Sequence, residues 1–533
     1  MKVSQFEPFL GHEEYEAIKE CFDNNWVTEG PKAKEFSERL CELIGCKYGV
    51  FANNGTLSIY LGLRALGIGP GDEVIVPNFT FIASANSVEM CGAKPVFVDI
   101  DRDTLHMDIK KCESLVTRNT KAIMPVHIYG MSANMDEIME FADKHDLRVI
   151  EDAAQAIGVK WKGKHCGSFG DIGSFSFFAD KTITTAEGGF VCTDDKAIYE
   201  KLLYLRNQGR LHRGSFIHPE IGYNFRITDI QAAIGLTQLS KLEVIKEKKQ
   251  NILNTYKRYL GDVPGLKIVE PLEGSNHIPF RVAILFDNKI DEIASHLQSC
   301  DIETRTFFYP LNEQPCYGIV GDYSESNYVY EHGLCMPSYP TLEEEKIKYV
   351  CDTILSHKMI YDRNISEVYD KMHLGKDYDK EALFLASMMG TKASRILDVG
   401  CGTGMHAYKL ATMGYEVLGL DPSRDMIDIA KMRTGKELSL SFQVGYVSDH
   451  NPGILFDSAI SMFNIPNHIL SIRELREYFS GISRNLKTGG LFVFDCFNQV
   501  AMARDESVLR VSGDRRIVPH FDVFTGKFYI QYE

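Results

Sequence analysis

One lysine in the first half of the sequence has the surroundings of a covalent catalyst. Lys181 follows the aromatic run Phe175-Ser-Phe-Phe and precedes a glycine-ended turn, Glu187-Gly-Gly. Burial removes the hydration of an ammonium group, so the pKa of a buried amine falls and a neutral nucleophile able to form a Schiff base becomes available. The alternative is a surface lysine that forms an ion pair with its neighbour Asp180. Lys181 alone does not decide between them.

A carboxylate and an aromatic ring occupy positions that would suit a heterocyclic cofactor. Asp152 closes an apolar stretch that begins at Arg148. A carboxylate at a buried strand end can hold a proton on a ring nitrogen and make the ring an electron sink, or it can cap the segment that follows. Phe81 could stack on such a ring, although packing in the core is the commoner role of phenylalanine.

The turn Asn53-Asn-Gly-Thr is a candidate phosphate site. It follows the short strand pattern Tyr48-Gly-Val-Phe-Ala and precedes a helical pattern from Leu57 to Leu66. Gly55 permits close approach, Thr56 supplies a hydroxyl, and the first N–H groups of a helix attract anions. Many such turns bind only water, so the turn gains meaning from its neighbours.

Alternating strands and helices position these side chains. Strand patterns alternate with helical patterns at 73–76, 81–90, 95–99, 122–126, 136–145 and 148–152. This alternation predicts an α/β protein with a mainly parallel sheet covered on both faces. Ligands gather at the carboxyl ends of strands in such sheets. Because Asp152 and the Gly55-Thr56 turn both fall at strand ends, we expect them to share one site.

Composition narrows the class of protein. The chain has 533 residues, a hydrophobic fraction of 44% and a formal charge of −15, which predict several globular domains and argue against nucleic-acid or anionic-membrane surfaces. The sequence shows no signal peptide and no membrane-spanning apolar run, so we expect a cytoplasmic protein. Its 13 cysteines show no zinc-binding spacing, and no metal site is predicted.

Several motifs in one order resemble the sugar aminotransferases of the DegT/DnrJ/EryC1/StrS family, pyridoxal-phosphate enzymes of fold type I. The resemblance covers roughly residues 5–358 and is strongest to perosamine-synthase-type enzymes, which aminate C4 of a nucleotide-linked 4-keto-6-deoxyhexose. It rests on Gly55-Thr56, Pro125-Val-His-Ile-Tyr-Gly, Asp152 with Gln155, Ser174-Phe-Ser176-Phe, Lys181 with Glu187-Gly-Gly, Gly222-Tyr-Asn-Phe-Arg and Pro337-Ser-Tyr-Pro.

The resemblance implies a role for each of these residues. Lys181 would carry the cofactor as the internal aldimine and shuttle the proton between donor and cofactor, while Asp152 would pair with the pyridine nitrogen. The remaining contacts would come from Gln155 on the ring's hydroxyl side, Phe81 over the ring, and Gly55, Thr56 and Ser176 at the phosphate. A lysine at position 181 favours amino transfer, because one relative with histidine there performs dehydration.

The resemblance also implies partners. In this family an asparagine of the neighbouring subunit completes the phosphate site, and Asn224 matches its motif, so we expect a homodimer with shared sites. The expected substrates are a nucleotide sugar and glutamate. The expected domains are a large cofactor-binding domain at 1–240, a small α/β domain at 241–358 and a further domain at 359–533.

The last third of the chain carries a second glycine-rich turn. A strand pattern beginning at Arg395 runs into Gly400-x-Gly402-x-Gly404, and the next strand pattern ends at Asp421. The spacing is a poor match to dinucleotide folds, and an acid at that strand end suits ribose hydroxyls. The pattern resembles Rossmann-like class I methyltransferases that use S-adenosylmethionine. Asp398 and the three glycines would surround the cofactor's amino-acid part, and Asp421 its ribose.

Two further segments are similar to aminosugar N-methyltransferases, which methylate a newly installed amine. They are Val368-Tyr369-Asp-Lys-Met-His373 and Ser461-Met-Phe-Asn-Ile-Pro-Asn-His468. Tyr369, His373 and His468 match positions near the substrate, and His468 is either a general base or a core or capping residue. Tyr446 replaces the acid expected after Gly445.

The sequence therefore predicts a bifunctional enzyme in which transamination is followed by N-methylation. An aminotransferase carrying a non-catalytic binding or structural module is the alternative. The chain ends within a strand pattern at 528–533, and a truncated methyltransferase domain is one interpretation of that ending.

Overall fold

The computed structural model describes residues 1–210, 216–361, 376–390, 393–435, 437–450, 453–463, 465–468, 472–495, 517–522 and 527–532. The chain divides into two compact units, Met1–His357 and Lys358–Glu533. Among the described residues, no helix is long and apolar enough to cross a bilayer.

A seven-stranded sheet forms the centre of the first unit, with strand order β1-β9-β8-β5-β4-β2-β3. Strand β9 is antiparallel to both of its neighbours, and the other neighbouring pairs are parallel. The prediction of a mainly parallel α/β sheet is therefore confirmed. In chain order the strands are β1 Tyr48–Ala52, β2 Glu73–Pro77, β3 Lys94–Val98, β4 Thr120–Ile123, β5 Arg148–Asp152, β8 Ile172–Ser176 and β9 Gly189–Thr193. A hairpin of β6 Lys160–Trp161 and β7 Lys164–His165 lies outside this sheet.

Apolar side chains alternate between the two faces of this sheet. Val50 packs in one core with Val74, whereas its neighbour Phe51 packs in another core with Phe175 and Phe190. Successive side chains of a strand point to opposite faces, so a sheet covered on both sides requires this continuous apolar pattern.

Helices flank the strands of the first unit. The helix after β1 begins at Gly55, two residues before the predicted start, because the Asn54 side chain accepts a hydrogen bond from the Leu57 N–H and caps it. The helices are α1 His12–Asp23, α2 Pro31–Ile44, α3 Gly55–Ala65, α4 Ala83–Met90, α5 Ile109–Cys112, α6 Met135–His145, α7 Lys196–Leu205, α8 Asp229–Ser240, α9 Leu242–Leu260, α10 Asp291–Ser299, α11 Ser324–His332 and α12 Glu344–Tyr361.

A second, antiparallel sheet belongs to the later part of the first unit. Its strand order is β10-β11-β13-β12. The strands are β10 Leu266–Ile268, β11 Val282–Phe286, β12 Arg305–Thr306 and β13 Gly333–Met336.

The second unit contains a five-stranded parallel sheet with order β16-β15-β14-β17-β18. The strands that would carry the second cofactor site, β14 and β15, are therefore adjacent at its centre. The strands are β14 Arg395–Val399, β15 Glu416–Asp421, β16 Leu440–Val444, β17 Phe456–Ser461 and β18 Leu486–Phe494. The helices are α13 Tyr378–Met389, α14 Met405–Thr412, α15 Arg424–Lys431 and α16 Ile472–Asn485, and β19 Ile517–Asp522 pairs with β20 Lys527–Tyr532.

Candidate active site

The carboxyl ends of β5 and β8 bring the predicted cofactor residues together. These strands are parallel neighbours, with Asp152 opposite Ser174, and Ser176 ends β8. A Cβ atom placed on Gly55 would lie only 2.7 Å from the Ser176 Cβ, so the start of α3 also reaches this edge. The loop from β8 to β9 carries Lys181.

The start of α3 has the features of a phosphate cradle. Its first N–H groups, including those of Gly55 and Thr56, have no acceptor within the helix. The missing side chain at Gly55 allows Ser176 to approach, and the Ser176 hydroxyl oxygen would lie 3.0 Å from a Cβ at Gly55. Backbone donors and hydroxyls at a helix N-terminus fit the phosphate of pyridoxal phosphate.

Asp152 is held rigidly. It is 5% exposed, its Oδ2 accepts a hydrogen bond from Ser84 Oγ at 2.7 Å, and its Oδ1 accepts one from the Ala154 N–H at 3.1 Å. The backbone N–H of Asp152 donates to Pro125 O at 2.9 Å. No helix follows Asp152, so its bond to Ala154 closes a turn and does not cap a helix. The two hydrogen bonds fix the carboxylate for contact with a ring nitrogen.

Gln155 and Phe81 lie in different environments. Gln155 is buried, and its Oε1 accepts a hydrogen bond from the Tyr129 N–H at 2.7 Å. Phe81 is 57% exposed, with its ring 6.1 Å from that of Phe308. The core alternative for Phe81 is wrong, and its ring is accessible for stacking.

The Lys181 amine lies against an aromatic ring. Its Nζ is 4.5 Å from the Phe280 ring centroid. Desolvation lowers the pKa of Lys181, opposed by the charges of Asp180 and Asp152 and reinforced by Arg281. Asp180 forms its ion pair with Arg281 at 2.6 Å, so the surface-pair alternative for Lys181 is wrong. A neutral amine suits nucleophilic attack on an aldehyde.

Sequence reasoning missed a further lysine of this region, Lys249, which is buried whereas Lys181 is half-buried. Lys249 is 4% exposed and donates hydrogen bonds to the carbonyl oxygens of Pro279 and Ser338 at 3.2 and 3.0 Å. Burial and the charge of Arg281 together lower its pKa to about 7, opposed by the charge of Asp180. The available signal was a lysine at helical spacing from Ile245 in the apolar stripe of α9.

Asn224 has a local partner in the single chain. Its Oδ1 accepts a hydrogen bond from Arg226 Nε at 2.8 Å, and its backbone bridges to Asn207. Among the described residues, no hydrogen bond joins Asn224 to Gly55 or Ser176.

The glycine-rich turn of the second unit forms another ligand cradle. Gly400, Gly402 and Gly404 have φ angles of 73°, 52° and 79°, which favour glycine. A Cβ would meet Ile465 at Gly400 and Phe442 at Gly404, whereas no atom of the described residues lies within 4 Å of a Cβ at Gly402. Open space at Gly402 lets a ligand approach the backbone closely.

Two aspartates flank this turn. Asp398 is 2% exposed, and its Oδ2 has no hydrogen-bond partner among the described residues. Burial, reinforced by Asp421, raises its pKa to about 7. Asp421 accepts hydrogen bonds from the N–H groups of Gly402 and Ser423, both at 2.9 Å. The orphaned Asp398 oxygen and the open turn fit the amino-acid part of S-adenosylmethionine, while Asp421 ends its strand where ribose hydroxyls would lie.

The other residues expected near the methyl acceptor are described only in part. His468 ends a short 3₁₀ helix, Ile465–His468, and its side chain lies outside the described residues, as do Tyr369 and His373. Tyr446 is 65% exposed. Among the described residues, no group of three or more histidine, cysteine or acidic side chains could hold a metal ion.

Fold and site together define a pyridoxal-phosphate-dependent aminotransferase of fold type I, followed by a methyltransferase domain that uses S-adenosylmethionine. Residues 8–355 match the DegT/DnrJ/EryC1/StrS aminotransferase family, and the chain belongs to it. Residues 396–490 match a methyltransferase domain family. The predictions of family, fold class and both cofactors are confirmed.

Relatives and solved structures agree with this assignment. The GDP-perosamine synthase of Escherichia coli O157:H7 is 39% identical over 359 residues, which cover 66% of this chain and 97% of that protein. The GDP-perosamine synthase of Vibrio cholerae is 35% identical over 67% of this chain and 99% of that protein. The structure of S. venezuelae DesV in complex with a ketimine intermediate aligns with a TM-score of 0.62 and 31% identity, covering 66% and 98%. Helicobacter pylori PseC, an aminotransferase of pseudoaminic acid biosynthesis, aligns with a TM-score of 0.64 and 29% identity, covering 67% and 99%.

Proposed function

We propose that the first unit transfers an amino group from glutamate to C4 of a nucleotide-linked 4-keto-6-deoxyhexose, and that the second unit methylates the new amine. The observation that carries the first step is the meeting of Lys181, Asp152 and the Gly55–Ser176 cradle at one sheet edge. Similarity to GDP-perosamine synthases supports C4 as the acceptor carbon.

Each residue of the first site has a physical task in this reaction. Bound pyridoxal phosphate supplies an electron sink that makes the donor's α-proton removable. Asp152, fixed by Ser84 and Ala154, holds the proton on the pyridine nitrogen. Lys181 Nζ, whose pKa desolvation lowers, would accept the donor's α-proton and return it to the cofactor carbon on the other side of the transferred nitrogen, two bonds away. The α3 N-terminus holds the phosphate and fixes the ring relative to Lys181.

The active form that we propose is a homodimer in which Asn224 of each subunit reaches the other subunit's phosphate. Large apolar side chains near Asn224 are exposed in the single chain, with Phe216 84% and Ile221 76% exposed. Such side chains are usually covered in an interface. A dimer that dissociates at low protein concentration should lose pyridoxal phosphate at the same concentration, whereas independent subunits would retain it.

The second step follows from the chemistry of the first product. A primary amine is a good nucleophile once it has lost a proton, and the second unit has a cradle that fits the methyl donor. Joining the two units raises the effective concentration of the amine for methylation. The step needs a general base, and His468 is one candidate, although its side chain lies outside the described residues.

Mass spectrometry of products tests both steps. The purified chain would be incubated with 4-keto and 3-keto sugar nucleotides carrying GDP, dTDP or UDP, together with glutamate and S-adenosylmethionine. We expect the 4-amino sugar first and a species heavier by one methyl group later. Amination of only the 3-keto sugars would refute the C4 assignment.

Two variants separate the steps. Lys181→Ala should yield no amine from the keto sugar but should still methylate an amino sugar supplied ready-made. Gly402→Ala should accumulate the unmethylated amine. If the wild-type chain binds S-adenosylmethionine yet never forms the methylated sugar, the proposed N-methylation is refuted. Absence of binding would instead support the non-catalytic module.

A further inference from the structure

A cluster of aromatic rings and a carboxylate surrounds the Lys376 ammonium in the second unit. Lys376 Nζ lies 3.1 Å from the Phe463 ring centroid, 5.5 Å from the Tyr378 ring centroid and 3.2 Å from Glu381 Oε2. His406 Nε2 contacts the same Glu381 oxygen at 2.7 Å. We call Tyr378, Glu381, His406 and Phe463 the cation cage.

The cage adjoins the glycine-rich turn. His406 is the second residue of α14 and stands two positions after Gly404. Phe463 lies two residues beyond the end of β17, where Ser461 Oγ donates to Val399 O just before Gly400. Rings at this place would face a group held near the methyl donor.

The backbone of Phe463 is strained. Its φ is 69°, a value that a bulky side chain rarely adopts. Strain of this kind persists where the surroundings impose it, and it is concentrated at binding and catalytic sites. The ring contacts of Phe463 with His406 and Tyr378, at 5.8 and 6.2 Å, hold it in the cage.

The charges around the cage favour a cationic ligand. Lys409 is paired with Asp379, and Lys380 with Asp377, both at 2.7 Å. Lys376 itself is only 20% exposed and paired with Glu381. Because ion pairs offset the charges of Lys409 and Lys380, the ring faces and the Glu381 carboxylate dominate the electrostatics around the cage. These groups attract ammonium ions.

We propose that the cation cage binds the ammonium group of the sugar acceptor, and that Lys376 occupies the cage until the acceptor displaces it. This inference rests on the proposed N-methylation. Removing the occupant therefore raises the affinity for the acceptor, because binding no longer requires displacement of Lys376.

The cage also supplies an acceptor for the proton that must leave the amine. Glu381 Oε2, which its contact with His406 holds in place, takes one N–H proton, and the freed nitrogen lone pair attacks the methyl carbon of S-adenosylmethionine. The carbon–sulfur bond breaks, and its electron pair stays on sulfur. The products are the methylated ammonium and S-adenosylhomocysteine, and the proton passes from Glu381 to solvent.

Chemical labelling of Lys376 in the full chain tests the cage without any sugar. An amine-reactive reagent would be applied and the modified peptides quantified by mass spectrometry. Tetramethylammonium chloride should raise labelling of Lys376 several-fold, because the ion enters the cage and releases the lysine. Sodium chloride at equal concentration and the neutral analogue tert-butyl alcohol should not, and exposed Lys431 should show no change. Unchanged Lys376 labelling with tetramethylammonium would overturn the cage.

Steady-state methylation of a ready-made 4-amino sugar nucleotide tests the acceptor assignment. Lys376→Met should lower the KM for the amine several-fold, whereas Phe463→Leu should raise it about tenfold or more, the loss of roughly 1.4 kcal/mol or more in binding. A higher or unchanged KM in Lys376→Met would refute the displacement. If tetramethylammonium releases Lys376 but the wild-type chain methylates no amino sugar, both the acceptor assignment and the proposed N-methylation are refuted. The cation cage would then still be supported as a binding site for cations.

Discussion

The carboxylate of Asp180 lies 2.6 Å from a guanidinium nitrogen of Arg281. Asp180 therefore forms its ion pair with this distant arginine and not with Lys181, its neighbour in the chain. Both side chains of the ion pair are largely buried, at 15% and 7% exposed. The pair leaves the Lys181 amine against the Phe280 ring, which also contacts the Arg281 guanidinium at 4.6 Å. A residue 100 positions away thus decides which charge Lys181 meets.

Changing this pair should move the pKa of Lys181 in opposite directions. Asp180→Asn removes a charge that raises the pKa, so the pKa should fall further; Arg281→Met removes a charge that lowers it, so the pKa should rise. Each change leaves one buried charge unpaired and should destabilise the protein by about 3 kcal/mol. The pH dependence of Lys181 labelling in the cofactor-free protein measures the direction. Shifts of the same sign in both variants would contradict the argument.

Lys181→Ala should abolish transamination and leave the fold intact. Lys181 makes no ion pair among the described residues, so its loss should not destabilise the fold. The loss removes both the covalent attachment point and the proton carrier. Borohydride reduction followed by peptide mass spectrometry should find cofactor on Lys181 in the wild type and on no lysine in the variant. Lys249→Met is the matched control, since it removes the buried amine of the neighbouring lysine. Cofactor on Lys249 in the wild type would refute the assignment.

Asp152→Asn should lower kcat roughly 100-fold or more. The amide cannot stabilise a proton on the pyridine nitrogen, although it can keep the contact to Ala154. Ser84→Ala is a milder change, because it removes one hydrogen bond at 2.7 Å from the buried carboxylate and should cost about 1–3 kcal/mol of stability. Steady-state kinetics with glutamate would rank the two. Equal activity of Asp152→Asn and wild type would exclude the ring-nitrogen role.

Two glycines of the second turn should respond differently to alanine. Within the part of the chain that the structure describes, a Cβ at Gly402 meets no atom within 4 Å, whereas a Cβ at Gly404 lies 2.5 Å from Phe442. Gly402→Ala should therefore lower the stability of the protein by about 1 kcal/mol through backbone strain and weaken the binding of S-adenosylmethionine. Gly404→Ala should add about 1–3 kcal/mol of overpacking. Thermal unfolding with and without S-adenosylhomocysteine separates them, and full ligand stabilisation in Gly402→Ala would refute close approach there.

Acid stability should depend on Glu151. Desolvation would raise the pKa of this buried carboxyl, but hydrogen bonds from His127 and from the N–H groups of Gly170 and Gly167 lower it below its ordinary value. Its stabilisation is therefore complete above the ordinary pKa and is lost as the pH falls through the lowered value. Glu151→Gln should lose about 3 kcal/mol at neutral pH and less in acid. Denaturant unfolding across this range checks the sign, and a loss independent of pH would contradict it.

Some of the predicted site followed directly from local pattern. Gly55 and Asp152 stand at the start of a helix and the end of a strand, and parallel strands place such ends at one edge of the sheet. The role of Ser176 was predicted only from the family resemblance. The glycine-rich turn and Asp421 were predictable for the same reason. Hydrophobic periodicity is local, so the sequence by itself determined the α/β class and the position of these residues along the chain.

Only the tertiary structure decided the partners of the side chains. Asp180 pairs with Arg281 and Lys181 meets Phe280, which are contacts between segments about 100 residues apart. The contact of Lys376 with the Phe463 ring likewise joins two segments that are far apart in the sequence. Desolvation and ion pairing depend on which atoms surround a group in space, and sequence spacing carries no such information. The pKa of Lys181 and the occupant of the cation cage are therefore properties of the folded chain.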